Sequence, residues 1–266
     1  MPERKGTMVV QHADELWRAG TRRGFLKVLG LGGSIVLLPS VFAACDSDDD
    51  GGITGPNGSA TLNLTTDVGI LNYAFALEQL EAAFYTAALA AAAFTGMTAE
   101  QKEVLTDLRN HEVAHREFLR SVLGSAAIGD LALSTPAVGT ATATAAAILK
   151  NAEAFEDLGV AAYNGAGKYL QDASNLLVAG KIVSVEARHA AAIRDLREGL
   201  SLAGTPAGTR FAGDDVVNAQ GLDVKLEPGA VLTRVGATGL VTTSLSIATQ
   251  PTVTAATADA PPPTTP

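Results

Sequence analysis

The chain has 266 residues, a formal net charge of −9 and 47% hydrophobic residues, many of them alanine. That length holds one compact domain plus tails once an N-terminal targeting segment is set aside, and alanine favours helix over strand. The acidic balance excludes a nucleic-acid-binding protein, and a single cysteine excludes an intrachain disulfide.

In chain order, the first feature is Thr21-Arg22-Arg23-Gly24-Phe25-Leu26-Lys27, followed by an uncharged apolar run from Val28 to Ala44. This segment, residues 1–44, resembles a twin-arginine export signal. Cys45 follows Phe42-Ala43-Ala44 directly, which looks like a lipobox and implies a lipidated Cys45 as the membrane contact. Phe42 stands where such motifs usually carry leucine, so cleavage by ordinary signal peptidase one or two residues earlier is the alternative. Either way the expected location is the periplasm or cell envelope. Removing residues 1–44 takes six of the 19 Lys and Arg and three of the 28 Asp and Glu, leaving 13 against 25 and a charge of −12.

Residues 45–66 are Asp, Gly, Ser, Thr, Asn and Pro with few large apolar groups, a composition expected to form a flexible tether. From Asp67 apolar residues recur at helical spacing, and four helices are expected near 68–93, 98–123, 144–174 and 177–202, within a bundle domain at 67–203. Thr98, with Glu100 and Gln101 close behind, is an N-cap that makes the first connection short and the first two helices antiparallel neighbours. The stretch from Gly124 to Ala143 carries Gly, Ser, Thr and Pro136 and is long enough to run the length of a bundle helix. A short, long, short series of connections predicts an all-α, ferritin-like four-helix bundle with one long crossover. Beyond Gly204 the periodicity stops. Residues 204–249, with short β-branched stretches at Ala230-Val231-Leu232-Thr233 and Gly239 to Ile247, are expected as an irregular extension on the bundle, and 250–266 as a disordered Thr/Ala/Pro tail.

The chemistry is concentrated in two Glu-x-x-His pairs, Glu112/His115 on the second helix and Glu186/His189 on the fourth. A spacing of three places both side chains on one helix face about one turn apart, within reach of the same ions. The mature chain has only three histidines, and the third, His111, is expected at the surface or behind the ligands. The first and third helices repeat each other: Leu77-Glu78-Gln79-Leu80-Glu81 with Phe84-Tyr85 aligns with Phe155-Glu156-Asp157-Leu158-Gly159 with Ala162-Tyr163. Glu and Tyr recur seven apart in both. Glu81 and Glu153 lie one turn from Glu78 and Glu156 and are rival ligands, and the shared spacing to Tyr85 and Tyr163 selects Glu78 and Glu156. Four glutamates at one level of an apolar interior repel one another and lose hydration, a conflict that a pair of cations removes. The expected metal ligands are Glu78, Glu112, His115, Glu156, Glu186 and His189.

The stretches Asp67-Val68-Gly69-Ile70-Leu71-Asn72-Tyr73-Ala74, Phe155 to Ala166 and Val185-Glu186-Ala187-Arg188-His189 resemble the ferritin-like domain of bacterial and plant desiccation-related proteins. More distantly, the ligand pattern is similar to rubrerythrins, bacterioferritins and manganese catalases. The resemblance implies two Fe or Mn ions, with Glu112 and Glu186 bridging, one histidine on each ion, and Glu78 and Glu156 completing the set. Mixed oxygen and imidazole ligands with open positions for an oxidant lead us to expect an oxidoreductase acting on peroxide or dioxygen, catalase-like or peroxidase-like, in stress or desiccation protection. The alternative is a non-catalytic metal-binding or structural envelope protectant. A rubredoxin-type electron path is excluded by the lack of four cysteines.

Overall fold

Thr66 begins helix α1 (Asp67–Ala90) by accepting a hydrogen bond from Gly69 N, while Asp67 places a carboxylate in the first turn. Helix α2 (Ala92–Thr95) is a single turn, and Thr98 and Gln101 form a reciprocal capping box that opens α3 (Ala99–Leu123). Ser134 caps α4 (Thr135–Ala141), with Pro136 in its first turn, and Thr144 caps α5 (Ala145–Ala166). Helix α6 spans Ala173–Glu198. The structure, a computed structural model, describes residues 53–55, 58–198, 213 and 215–251. The export segment, Cys45, the end of the fourth helix beyond 198 and the Thr/Pro tail lie outside the described residues.

The expected breaks at 174 and 177 are displaced. Helix α5 ends at Ala166, a 3-10 turn follows at Gly167–Tyr169, and α6 begins at Ala173. The reason is tertiary: the Asp67 carboxylate accepts hydrogen bonds from Gln171 N, Asp172 N and Asn175 Nδ2, at 2.8, 3.0 and 2.8 Å, which pins this connection against the start of α1. Asp172 then caps α6 by accepting from Ser174 N.

Helix α1 packs mainly against α3, and α5 against α6. The direction of each helix follows from side-chain contacts alone. Tyr85 of α1 meets Glu156 of α5 while Tyr163 of α5 meets Glu78 of α1, so these two helices run antiparallel. His115 of α3 meets Glu186 of α6 while His189 of α6 meets Glu112 of α3, which makes that pair antiparallel as well. Arg120 of α3 lies over Phe75 of α1 and His115 beside Glu78, so α1 is antiparallel to α3 as well as to α5, and the connection from α3 to α5 must traverse the bundle, as a ferritin-like crossover does. Two side chains one heptad apart on α1 strap it down. Asn72 bonds to Ala126 O and Ile128 N, and Gln79 to Gly129 O and Leu131 N. Among the described residues no helix is long and apolar enough to cross a membrane.

Some of the expected tether is folded. Strands β1 (Ile53–Gly55), β2 (Ser59–Asn63) and β3 (Ser244–Thr249) form one sheet in that order, β1–β2 antiparallel and β2–β3 parallel. Ala60, Leu62 and Leu64 alternate with polar neighbours and are fully buried, which gives this polar-looking stretch an apolar edge against the bundle. The C-terminal extension is also more regular than expected. Ala230-Val231-Leu232-Thr233 lies in a helix, α7 (Pro228–Ala237), because Pro228 presets the first turn and Val231 and Val235 bury one face at a spacing of four. Leu226 N donates to Ala161 O of α5 at 2.9 Å, a close approach that Gly165 permits: a Cβ there would lie 1.8 Å from Leu226 O. Arg194 of α6, almost fully buried, is bidentate to both Asp157 and Asp215 and so joins α5, α6 and the extension.

Candidate metal centre

Each long helix delivers its predicted glutamate to the middle of the bundle. Glu78, Glu112, Glu156 and Glu186 are all 0% exposed, although they sit among Phe, Leu, Ile and Ala side chains of the core. Their surroundings form two overlapping groups of closely spaced ligand atoms: Glu78, Glu112, His115 and Glu186 in one, and Glu112, Glu156, Glu186 and His189 in the other, each within 4.8 Å. Glu112 and Glu186 belong to both. The structure therefore brings all six predicted residues together, in two groups that share Glu112 and Glu186.

The inward atoms converge without satisfying one another. His115 Nδ1 lies 2.9 Å from Glu186, 3.4 Å from Glu78 and 3.5 Å from Glu112. His189 Nδ1 lies 2.8 Å from Glu112, 3.3 Å from Glu156 and 3.4 Å from Glu186. Even so, both Nδ1 atoms, both oxygens of Glu112 and Glu186, and one oxygen each of Glu78 and Glu156 lack a hydrogen bond of acceptable geometry. Short distances without aligned donors mean that these atoms point at shared space between them. Buried polar groups left in this state cost about 1–3 kcal/mol each, and a charged one costs more. A set of carboxylate oxygens and imidazole nitrogens, two of the carboxylates common to both halves, could hold metal cations.

The electrostatics report the same crowding. Burial, then the charge of Glu186, pushes the Glu112 carboxyl well above its ordinary range. Burial raises Glu156 to about 7, with only partial relief from His189 and Tyr85. Glu186 is the exception: burial acts upward, but the close approach and charge of His115 and His189 outweigh it and hold the group at about 2. Burial also opposes charge on His115 and His189, yet the surrounding carboxylates win and raise both well above the usual imidazole range.

The outer layer explains the Glu/Tyr repeat. Tyr85 OH donates to Glu156 Oε1 and Tyr163 OH to Glu78 Oε1, each at 2.5 Å, so each tyrosine orients the carboxylate of the opposite helix. Burial and the adjacent carboxylates raise both phenols well above their ordinary range, so both remain donors. The rivals separate cleanly. Glu153 turns away and pairs with Arg197. Glu81 is buried beside the cluster, in the space left by Gly159: a Cβ at that glycine would lie 3.0 Å from Glu81 Oε1 and 3.9 Å from Glu186 Oε2. Burial, followed by the four ligand carboxylates, raises Glu81 well above the normal range and keeps it a neutral acid. His111, half-buried on α3, is not among the converging atoms but bonds to His189 from behind, Nδ1 to Nε2 at 2.9 Å.

The family model for the ferritin-like domain matches residues 66–199. The chain belongs to the ferritin-like family. The matched region of this ferritin-like protein runs from the cap of α1 to the end of α6 and contains all six converging residues together with Tyr85, Tyr163, Glu81 and His111. No curated protein shows significant similarity to the chain.

Proposed function

We propose that this ferritin-like protein binds two Fe or Mn ions through Glu78, Glu112, His115, Glu156, Glu186 and His189 and uses them to act on peroxide or dioxygen. The observation that supports this reading is the pair of overlapping ligand sets sharing Glu112 and Glu186, with unpartnered atoms facing inward. Bound there, such ions supply redox equivalents for the reduction of a small oxidant. The chain's own residues do the rest. Glu112 and Glu186, which belong to both ligand sets, would serve both ions, His115 and His189 would each serve one, and Glu78 and Glu156 would complete the two sets. Tyr85 and Tyr163 hold those end carboxylates in place from their hydroxyl groups. Glu81 lies buried beside Glu186 in the space left by Gly159, and an apolar shell surrounds the cluster.

The site of action in this reading is outside the cytoplasm. Arg22 and Arg23 in their Thr-Arg-Arg-Gly-Phe-Leu-Lys setting support export by the twin-arginine route, and Cys45 supports a lipid anchor in the periplasm or cell envelope. The stretches Asp67 to Ala74, Phe155 to Ala166 and Val185 to His189, which resemble desiccation-related proteins, support a role in stress or drying. Elemental analysis of protein purified without chelators, combined with a peroxide-consumption assay, tests the reading. About two ions per chain and peroxide turnover are expected. Less than half an equivalent of any transition metal after reconstitution would refute the metal centre. Two bound ions without peroxide or dioxygen consumption would leave sequestration or structural protection as the function.

A further inference from the structure

The two halves of the centre match in their inner residues and differ behind them. His189 turns Nδ1 inward and Nε2 outward, where it meets Nδ1 of His111 at 2.9 Å. The two rings are 7° from parallel with centroids 5.1 Å apart. That separation is close to the bond length plus two ring radii, so the imidazoles lie edge to edge in one plane, as an N–H···N hydrogen bond prefers. His115 lacks an equivalent. Aligning Glu112-x-x-His115 with Glu186-x-x-His189 puts Val185 in the place of His111, and a valine side chain offers no hydrogen-bonding group. His115 is also the more open of the two, at 15% side-chain exposure against 4%.

A neutral imidazole that binds a cation through Nδ1 must carry its proton on Nε2. With a cation on Nδ1, that His189 proton would have an acceptor in His111 Nδ1, and the bond holds the ring in the plane that keeps Nδ1 turned inward. We propose that His111 is a positioning residue that makes the two metal positions unequal, so that the His189 position fills first and more tightly than the His115 position. This rests on the two-ion reading above. It adds an order of filling and a residue that controls it. Outer partners of metal-bound histidines typically change affinity by about 10–100-fold, so the two steps should be resolved by at least about tenfold.

The test is a Mn²⁺ titration of chelator-treated mature protein, following free Mn²⁺ by electron paramagnetic resonance, with circular dichroism confirming that each variant is folded. Wild-type protein is expected to bind in two resolved steps. His111→Ala should weaken the first step about tenfold or more and merge it with the second. His111→Gln, whose amide oxygen can accept the Nε2 proton, should restore the separation, and Val185→His should tighten the second step. A long-range ¹H–¹⁵N spectrum of Zn²⁺-loaded, histidine-labelled protein should show His189 protonated at Nε2 in wild type. Two equal steps in wild type, or an unchanged separation in a folded His111→Ala protein, would overturn the positioning role while leaving the two-ion reading intact. No Mn²⁺ binding by wild type would overturn both.

Discussion

Stripping the cations should make the stability of this protein fall as the pH rises from about 5 to about 8, the reverse of ordinary acid denaturation. The perturbation is chelation, and the magnitude comes from the buried carboxylates. Glu156 is raised from 4.5 to about 7. A group whose folded pKa is raised contributes stability that is full below its unfolded value and is lost as the pH climbs through the folded one. At about 1.4 kcal/mol per unit, Glu156 alone removes about 3 kcal/mol across that window. For a protein of this size that is about 6–12 °C in Tm. Glu81 and Glu112 act with the same sign from 4.5 upward, and His115 and His189 join from 6.5 upward, since both are also raised. Glu186, held at about 2, contributes stability that is lost only below 4.5 and so does not tilt this range. Cations select the deprotonated ligands, so the loaded protein should show no such fall. Thermal unfolding by circular dichroism at several pH values, with and without Mn²⁺, measures both curves. An apo Tm that is flat or rises between pH 5 and 8 would refute the placement of these carboxylates in one buried cluster.

Replacing Cys45 with alanine should release the mature protein from the membrane fraction, as fractionation and immunoblotting would show, because one lipidated cysteine is the proposed anchor. Gly165→Ala should lower stability by about 2–4 kcal/mol, because the new methyl group would meet Leu226 O at 1.8 Å and push the extension off α5. Gly180→Ala, with nothing within 4 Å, should be neutral or stabilise by up to about 1 kcal/mol, and denaturant midpoints would compare the two. Rerouting the mature chain through a Sec signal in place of residues 1–44 should give protein under-loaded with Fe or Mn or filled with Cu or Zn, because folding would then occur where the affinity order prevails. Equal metal content of the two forms would remove that reason for Arg22 and Arg23.

The centre was legible because its signals are local. Glu-x-x-His is written within one turn of α3 and again within one turn of α6, and the seven-residue Glu/Tyr spacing within two turns of α1 and α5. Periodicity also located the helices and the long crossover. What stayed hidden depends on partners distant in sequence. Strand β2 is polar at alternate positions and finds its neighbour 185 residues away, so residues 53–63 read as tether. The end of α5 is set by Asp67 reaching across to Gln171 and Asp172, which no window around residue 170 reveals. The rivals Glu81 and Glu153 look alike in sequence and diverge only in three dimensions, the first turned to the space at Gly159 and the second to Arg197. His111 likewise gains its meaning from a helix 78 residues further on.

The sheet that joins the two ends of the folded unit carries a mechanical consequence. Ile53 pairs with Thr61, which pairs with Ser246, and the parallel register ends at Asn63 and Thr249. The chain therefore enters and leaves at the same end of three short strands. Tension arriving from the N-terminal side meets β1 first, an edge strand of three residues whose bonds to β2 can open in succession. Such peeling breaks the β1–β2 bonds one pair at a time and lengthens the chain while β2 stays paired with β3. A chain held from its N-terminal side would thus extend first at β1, before the sheet's longer β2–β3 pairing gives way.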